Sequence, residues 1–356
     1  MTEELLSVAC AFELVGKPIG VTTHRGGHIH RSWVVACSRG DRYFLQALNT
    51  DVFHDPDTLM SNVVRVTEHL RAAGEPTISV VATWDGSSWW QALDGQAWRA
   101  FVLLEGASSQ ARVTSPESAA AVGTAFGRFA GALATLPGPP LAITLARFHD
   151  LRFRWEQLAG VAAGAGAGVD AGPELAALHR FEPLIQRWHD AVATLPRRVA
   201  HNDAKADNVL LDDMTGALRA VVDLDTVMPG TILSDLGDLI RSTACPAAED
   251  VPDLAQVRID DQLFEAVITG YAHAADDRIS EKELSGAVLA AQCITFEQTV
   301  RFLTDHLSGD RYYRVTRPGH NLDRARNQLK LVSELTERQD HLVDLTARAI
   351  EAGRRL

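Results

Sequence analysis

Cysteine is scarce in this chain and comes unpaired. Cys10, Cys37, Cys245 and Cys293 lie far apart with no C-x-x-C spacing, which excludes a disulfide framework and the common zinc modules. Reduced, mostly buried thiols are the expectation. Basic charge is also short: 34 Lys and Arg against 46 Asp and Glu leave a net charge of −12. No basic field is available to hold a polyanion, so neither nucleic acid nor an anionic membrane is an expected partner. No stretch approaches the ~18 uninterrupted apolar residues of a membrane span. The opening MTEELLSVACAFELVG carries acids where a secretory signal would carry bases, and Glu13 interrupts its apolar run. A soluble, cytoplasmic protein is expected. A small phosphorylated ligand remains compatible, because a local site can oppose the global sign.

What is present is an ordinary globular balance, 46% hydrophobic and 22% charged over 356 residues, enough for two lobes with separate cores. Residues 1–105 alternate short β-rich runs with one helix. HIHRSWVVAC and RYFLQAL flank a Gly-Asp turn, and Leu59, Val63, Val66 and Leu70 recur at helical spacing before Gly74. TISVVATW, SSWWQAL and AWRAFVLLEG return to strand character, with the tryptophans expected to cover the back of this lobe. Residues 106–356 turn helical, with Ser115 as an N-cap and Glu117 in the first turn. LAGVAAGAGAGVDAGPELAAL reads as a flexible connector, and the C-terminal NLDRARNQLKLVSELTERQDHLVDLTARAIEAG as one long amphipathic helix or two abutting ones. The fold class is therefore α+β and bilobal, with a small mixed-sheet N-lobe and a larger, mainly helical C-lobe.

The chemistry concentrates in two strings, HNDAKADNVLLD and AVVDLDTVMPG. Phosphoryl transfer to a hydroxyl needs a carboxylate to take the proton, an amide or carboxylate beside magnesium, and a further carboxylate on the bridging metal. His201, Asp203 and Asn208 satisfy H-x-D-x-x-x-x-N, and Asp223 and Asp225 follow from the next apolar strand. Residues i and i+2 of a strand share a face, so both acids are expected to face one metal. Carboxylates crowded at ~4 Å repel by about 1 kcal/mol per pair in water and roughly 4 at an effective dielectric near 20. Acids ending an apolar strand escape that cost less easily than acids in a solvated loop, and bound cations relieve it. Magnesium accepts such oxygen ligands.

With these strings the chain resembles the aminoglycoside phosphotransferase and choline kinase superfamily, which has a protein-kinase-like fold. GGHIHRSWVV, YFLQALNTDVFHDPDTLMSNVVRVTEHL, DLDTVMPG, ITFEQTVRFLTDHLSGDRYY and NLDRARNQLKLV narrow the resemblance to the N-acetylhexosamine 1-kinases. It spans nearly the whole chain except the Ala/Gly connector. The resemblance implies Asp203 as catalytic base, Asn208 and Asp223 as magnesium ligands, and Asp225 as a second metal-side or a structural acid. It implies that GGHIH, with Gly26 and Gly27, covers the triphosphate of ATP, and that Leu103, Leu104 and Glu105 form the hinge whose backbone meets adenine. Arg301 and Tyr312 would contact a neutral sugar, the alternative for Arg301 being an ion pair on a helix surface. Gln46 stands where most relatives place a phosphate-pairing lysine, as in the hexosamine kinases, so Glu68 has no cation to meet there. His30 stands where the resemblance implies asparagine.

Three histidines in THRGGHIH lack a cysteine or acid at ligand spacing, so no transition-metal site is expected. His28 reads as a donor at the mouth of the site. Gly26 and Gly27 allow close backbone approach or form a plain hairpin turn. Lys205 either offsets the charge of the transferred phosphate or is simply solvated. Asp235 and Asp238 suit a helix N-terminus and read as structural. The expected activity is ATP- and magnesium-dependent phosphorylation of the anomeric hydroxyl of an N-acetylhexosamine. The alternative is a kinase of another small alcohol: a free hexose, glucosamine, a cyclitol, an aminoglycoside or homoserine. A pseudokinase would lack Asp203, Asn208 or Asp223, and all three are present. D-L-D in place of D-F-G argues against a protein kinase. Nothing in the sequence sets the oligomeric state; a monomer is expected.

Overall fold

A computed structural model describes residues 2–24, 26–27, 29–109, 112–164 and 171–356. In chain order its elements begin with α1 (Thr2–Ala9), β1 (Pro18–His24), β2 (Arg31–Cys37), β3 (Arg42–Ala47), α2 (Pro56–Ala72), β4 (Val80–Val81), β5 (Trp90–Gln91), β6 (Ala97–Val102) and β7 (Ala107–Ser109). Helices α3 (Pro116–Leu133), α4 (Leu151–Gly164), α5 (Gly172–Leu178) and α6 (Pro183–Thr194) follow, then β8 (Arg198–Ala200), β9 (Val209–Asp212), β10 (Leu218–Val221) and β11 (Met228–Gly230). The chain closes with α7 (Ile232–Thr243), α8 (Asp261–Ala275), α9 (Glu281–Leu284), α10 (Ala287–Leu307), α11 (His320–Glu337) and α12 (Gln339–Arg355).

Two compact units form. The first holds Met1–Ser108 with two later returns, Leu136–Ala146 and Leu210–Met228. Its main sheet, β1-β2-β3-β6-β4 with β5 on β6, is antiparallel at every pairing rather than mixed. Hairpins need only short turns, and Gly40 supplies the left-handed residue (φ 96°) between β2 and β3. Strand alternation sorts the faces. Trp33, Val35, Tyr43, Leu45, Trp98 and Ala100 form one apolar core with Leu5, Val8 and Phe12 from the N-terminal segment. Trp90 joins this core, whereas Trp89 packs with Leu48, Phe53, Leu59 and Ala97 in a second cluster. The opposite face of β2, β3 and β6 carries Ser32, Gln46 and Arg99 in direct cross-strand register. The sequence pattern did not show α1 or β1, and TISVVATW and SSWWQAL each shrink to a two-residue strand. Asp55 caps α2 by accepting from Thr58 N–H, and Gly74 ends it at φ 76°.

The second unit holds Ser109–Thr135, Arg147–Val209 and Pro229–Leu356. Ser115 caps α3 in a reciprocal capping box with Ser118, and Pro116 occupies the first helical position. α3 and α8 cross with almost no side chain between them. A Cβ on Gly123 would lie 2.1 Å from the Val267 carbonyl oxygen, and one on Gly270 would lie 2.3 Å from that of Ala120. α10 packs against α4, α7 and α11, and most of its length is buried. The connector reading needs correction at both flanks: LAGVAAG belongs to α4 and GPELAAL forms α5. Alanine's high helix propensity outweighs the isolated glycines there; the Gly-rich centre falls outside the described residues. The C-terminal pattern is two helices that break at Arg338.

Candidate active site

The HNDAKADN string leaves β8 and is held by its backbone. Asp235, in the first turn of α7 and buried, accepts from His201 N–H at 2.9 Å and Asn202 N–H at 2.7 Å. Burial raises the Asp235 pKa more than the His201 ring and the two amides lower it. The His201 ring is buried against Phe126 and Phe129. Asn202 takes a left-handed conformation at φ 61°, uncommon outside glycine, and turns the chain so that Asp203 leaves the core.

Asp203 meets Lys205 Nζ at 2.8 Å and Asn208 Nδ2 at 3.0 Å, both on Oδ2. Asn208 Nδ2 also donates to the Asp203 carbonyl at 2.8 Å. Its amide hydrogens are thus committed, which leaves Asn208 Oδ1 as its ligand-type atom. Burial raises the Asp203 carboxyl, but the Lys205 ammonium, the bonds from Lys205 and Asn208, and His201 outweigh it and hold the group far below the usual range. Lys205 is therefore an ion-pair partner rather than a lone solvated lysine.

Arg301 lies on α10 in the same unit, its side chain largely buried. Its guanidinium lies 5.2 Å from the Phe148 ring, 5.9 Å from Tyr312 and 5.6 Å from Tyr313. Glu297 lies one turn earlier, 3.7 Å from Arg301 Nη1, so the pair envisaged on a helix surface exists but is buried. Tyr312 itself is exposed. The loop carrying it is gathered by buried Asp305, which accepts from the amides of Arg311, Tyr312 and Tyr313 and from Asn321 Nδ2 at 2.8–2.9 Å. Arg301 and Asp203 also interact electrostatically, each favouring the other's charged form.

In the first unit the Asp-Leu-Asp string is not a strand. β10 ends at Val221, Asp223 is left-handed at φ 61° and exposed, and Leu224–Thr226 form a 3₁₀ turn that buries Asp225. The expected shared face for both acids is thus corrected: once the strand ends, the i, i+2 alternation no longer applies. Both Asp225 oxygens are occupied. Arg99 forks onto them, Nη1 to Oδ1 and Nη2 to Oδ2 at 2.8 Å, and His30 Nε2 reaches Oδ2 at 2.7 Å. Burial raises this carboxyl, but Arg99 and His30 more than reverse that. Asn49 N–H donates to His30 Nδ1 at 2.9 Å, so the ring's proton toward Asp225 sits on Nε2. Arg99 Nε donates to Gln46 Oε1 at 2.9 Å, and Gln46 Nε2 to Ser32 Oγ at 3.0 Å. The strand carrying Gln46 lacks a lysine, and a cation stands on the neighbouring strand directly opposite. Thr144 Oγ1 holds the Asp225 carbonyl at 2.8 Å, and Asn62 Nδ2 that of Val227 at 3.2 Å. Glu68 is exposed.

Gly26 and Gly27 lie between β1 and β2, Gly27 with φ 79°; His28 lies outside the described residues. Leu103 and Leu104 are half-buried after β6, with the Leu103 amide given to the Arg42 carbonyl, and Glu105 is exposed, 3.9 Å from Arg42. Asp238 pairs with Arg241 at 2.7 Å inside α7. No group of three or more His, Cys, Asp or Glu side chains able to hold a metal occurs among the described residues.

Residues 20–274, well over half of the chain, match the model of the phosphotransferase enzyme family. The chain belongs to that family. Solved structures similar to this phosphotransferase include an aminoglycoside phosphotransferase from Alicyclobacillus acidocaldarius, 17% identical with a TM-score of 0.62 over 97% of this chain and 96% of the other. An amicoumacin kinase in complex with AMP-PNP, Ca²⁺ and Ami is 13% identical, with a TM-score of 0.64 over 93% of both chains. A microcompartment-associated aminopropanol kinase is 15% identical, with a TM-score of 0.64 over 96% and 98%. At these identities the likeness establishes a shared fold. No helix of the described residues is long and apolar enough to cross a membrane.

Four residues of these networks carried little sequence signal. Arg99 is a lone charge in the apolar AWRAFV, the kind of position that calls for a buried partner. Glu297 was visible as the i−4 partner of Arg301. Asp305 had no local signature, nor had His149, whose Nδ1 lies 2.9 Å from Glu297 Oε2.

Proposed function

We propose that this phosphotransferase is an ATP- and magnesium-dependent kinase that phosphorylates the anomeric hydroxyl of an N-acetylhexosamine. The observation that carries the reading is the Asp203 carboxylate, whose Lys205 and Asn208 contacts converge on Oδ2. Oδ1 is the oxygen left to accept an acceptor hydroxyl. A carboxylate held ionised is a weak base, which suits a loose transition state in which the hydroxyl proton leaves late. An anomeric hydroxyl, more acidic than an ordinary alcohol, eases that transfer. Arg301 and Tyr312 then supply donors and an aromatic face suited to an uncharged sugar.

Charge supports the same choice. Lys205, Arg154 and Arg301 stand against Asp203 and Glu297 in these electrostatic surroundings, three cations to two carboxylates. A polycationic acceptor would meet this excess of positive charge at a cost. In this reading Asn208 Oδ1 and Asp223 would each supply an oxygen of the kind magnesium takes, with waters completing its shell. Bound there, magnesium would neutralise the charge of the triphosphate. Asp225, with both oxygens taken, acts as a structural acid in this reading. Gly26, Gly27, Gln46 and the 103–105 hinge belong to the nucleotide side, and His28 to the acceptor side.

The test is incubation with ATP and magnesium against N-acetylglucosamine, N-acetylgalactosamine, free hexoses, glucosamine, cyclitols, homoserine and an aminoglycoside, with ³¹P NMR assignment of the product. Phosphate on C1 of an N-acetylhexosamine is expected, and Asp203→Asn should lower kcat by about 10²- to 10⁴-fold. Transfer to an aminoglycoside or amino alcohol, with none to the sugars, would refute the substrate assignment and leave the kinase reading standing.

A further inference from the structure

The ring of His149 touches two groups that only accept hydrogen bonds. Nδ1 lies 2.9 Å from Glu297 Oε2, and Nε2 lies 2.8 Å from the Asn202 carbonyl oxygen. A neutral imidazole carries one N–H, so one contact would then oppose lone pair to lone pair. Turning the ring over would place carbon atoms against both oxygens. The remaining neutral arrangement moves the proton to Glu297, and its surroundings oppose that. Arg301, whose Nη1 lies 3.7 Å from Glu297 Oε1, and Arg154 both favour the carboxylate form of Glu297 whatever the state of the ring.

We infer that His149 is a buried imidazolium and a positioning residue, tying the peptide before Asp203 to the helix that carries Arg301. The inference rests on the reading of Asp203 as the group that takes the acceptor's proton. The Asn202 carbonyl belongs to the peptide joining Asn202 to Asp203, so the bond from Nε2 orients that peptide and aims the carboxylate. The preceding peptide is gripped from the other side by Asp235. Asn202, between them, keeps a left-handed φ of 61°. Asn tolerates that region better than most non-glycine residues, and the bonds to the peptides on either side of it hold it there. Trp188 Nε1 anchors the His149 carbonyl at 3.1 Å, so the imidazolium works from a fixed base.

Its charge is set by neighbours from three helices: Glu297 and Arg301 on α10, Arg154 on α4 and Asp235 on α7. Burial lowers the His149 pKa, but Glu297 and the Asn202 carbonyl raise it by more than burial and Arg301 take away. A raised pKa means that the clamp is complete at low pH and is lost as pH climbs through the folded value. The alkaline limb of kcat should therefore carry the His149 titration.

Imidazole ¹⁵N NMR reads the ring's charge without reference to any acceptor, and kinetics use whichever alcohol the wild-type protein phosphorylates. Near neutral pH both His149 nitrogens should be protonated. His149→Gln should lower kcat on the order of 10- to 100-fold, shift the Asp203 backbone amide resonance and leave AMP-PNP affinity unchanged. Glu297→Gln should move the loss of the ring proton to lower pH, which keeps the inference testable if His149→Gln fails to fold. A singly protonated ring near neutral pH overturns it. So does wild-type kcat in His149→Gln, or an unmoved His149 titration in Glu297→Gln. If the wild-type protein phosphorylates no alcohol, the functional reading fails by itself, while the ring charge and the Asp203 amide shift still decide whether the clamp exists.

Discussion

Removing the Arg99 guanidinium leaves the Asp225 carboxylate buried without its cation, and the penalty for that exceeds what the pair itself contributes. Breaking a buried pair from one side costs about 3–5 kcal/mol, whereas replacing both members with apolar residues is often neutral. Arg99→Met should therefore lower the urea midpoint sharply, and Arg99→Met with Asp225→Leu should recover much of the loss. A double variant no more stable than the single one would mean that the Arg99 stem and its contact with Gln46, not the charge pair, carry the stability. Asp305 poses a different residue-scale problem, because both its oxygens face donors. Asn at this position would turn an NH₂ against two of them in either orientation. Asp305→Asn should loosen the Tyr312 loop, raising the KM of the acceptor with that of ATP unchanged. Equal rises in both would detach the loop from acceptor binding.

Between elements, α3 and α8 approach closely where Gly123 leaves no room for a side chain above the Val267 carbonyl. Gly123→Ala gains helix propensity but must push the helices apart, and overpacking of this kind costs about 1–3 kcal/mol. A lower denaturation midpoint is expected; an unchanged one would show that the crossing can relax. The turn Leu224–Thr226 shows a second element-scale effect. Thr144, Asn62, Arg99 and His30 all fasten it or the residue after it, from segments distant in sequence. That fastening accounts for a left-handed Asp223 where strand alternation was expected. Local pattern ends with the strand, and the tertiary partners then choose the conformation.

At the scale of the molecule, three carboxylates beside cations act on the acid side of the pH range. Asp225, Glu283 and Glu297 all sit below their ordinary values because cations offset their burial. A depressed carboxyl contributes stability above its unfolded pKa and loses it as pH falls through the folded value. Urea midpoints should thus hold near neutrality and drop once pH passes below the ordinary carboxylate range; a flat profile there would mean that the unfolded chain keeps equivalent pairs. The sequence alone was enough for the two-part α+β plan, because helical and strand periods are local. It also marked His201, Asp203 and Asn208, because all three fall within eight consecutive positions. It could not say which acids are neutralised or by what. Arg99 stands 126 residues from Asp225, and His149 stands 53 from Asn202. Charge pairing in a buried site is settled by distance in space, which only the folded chain defines.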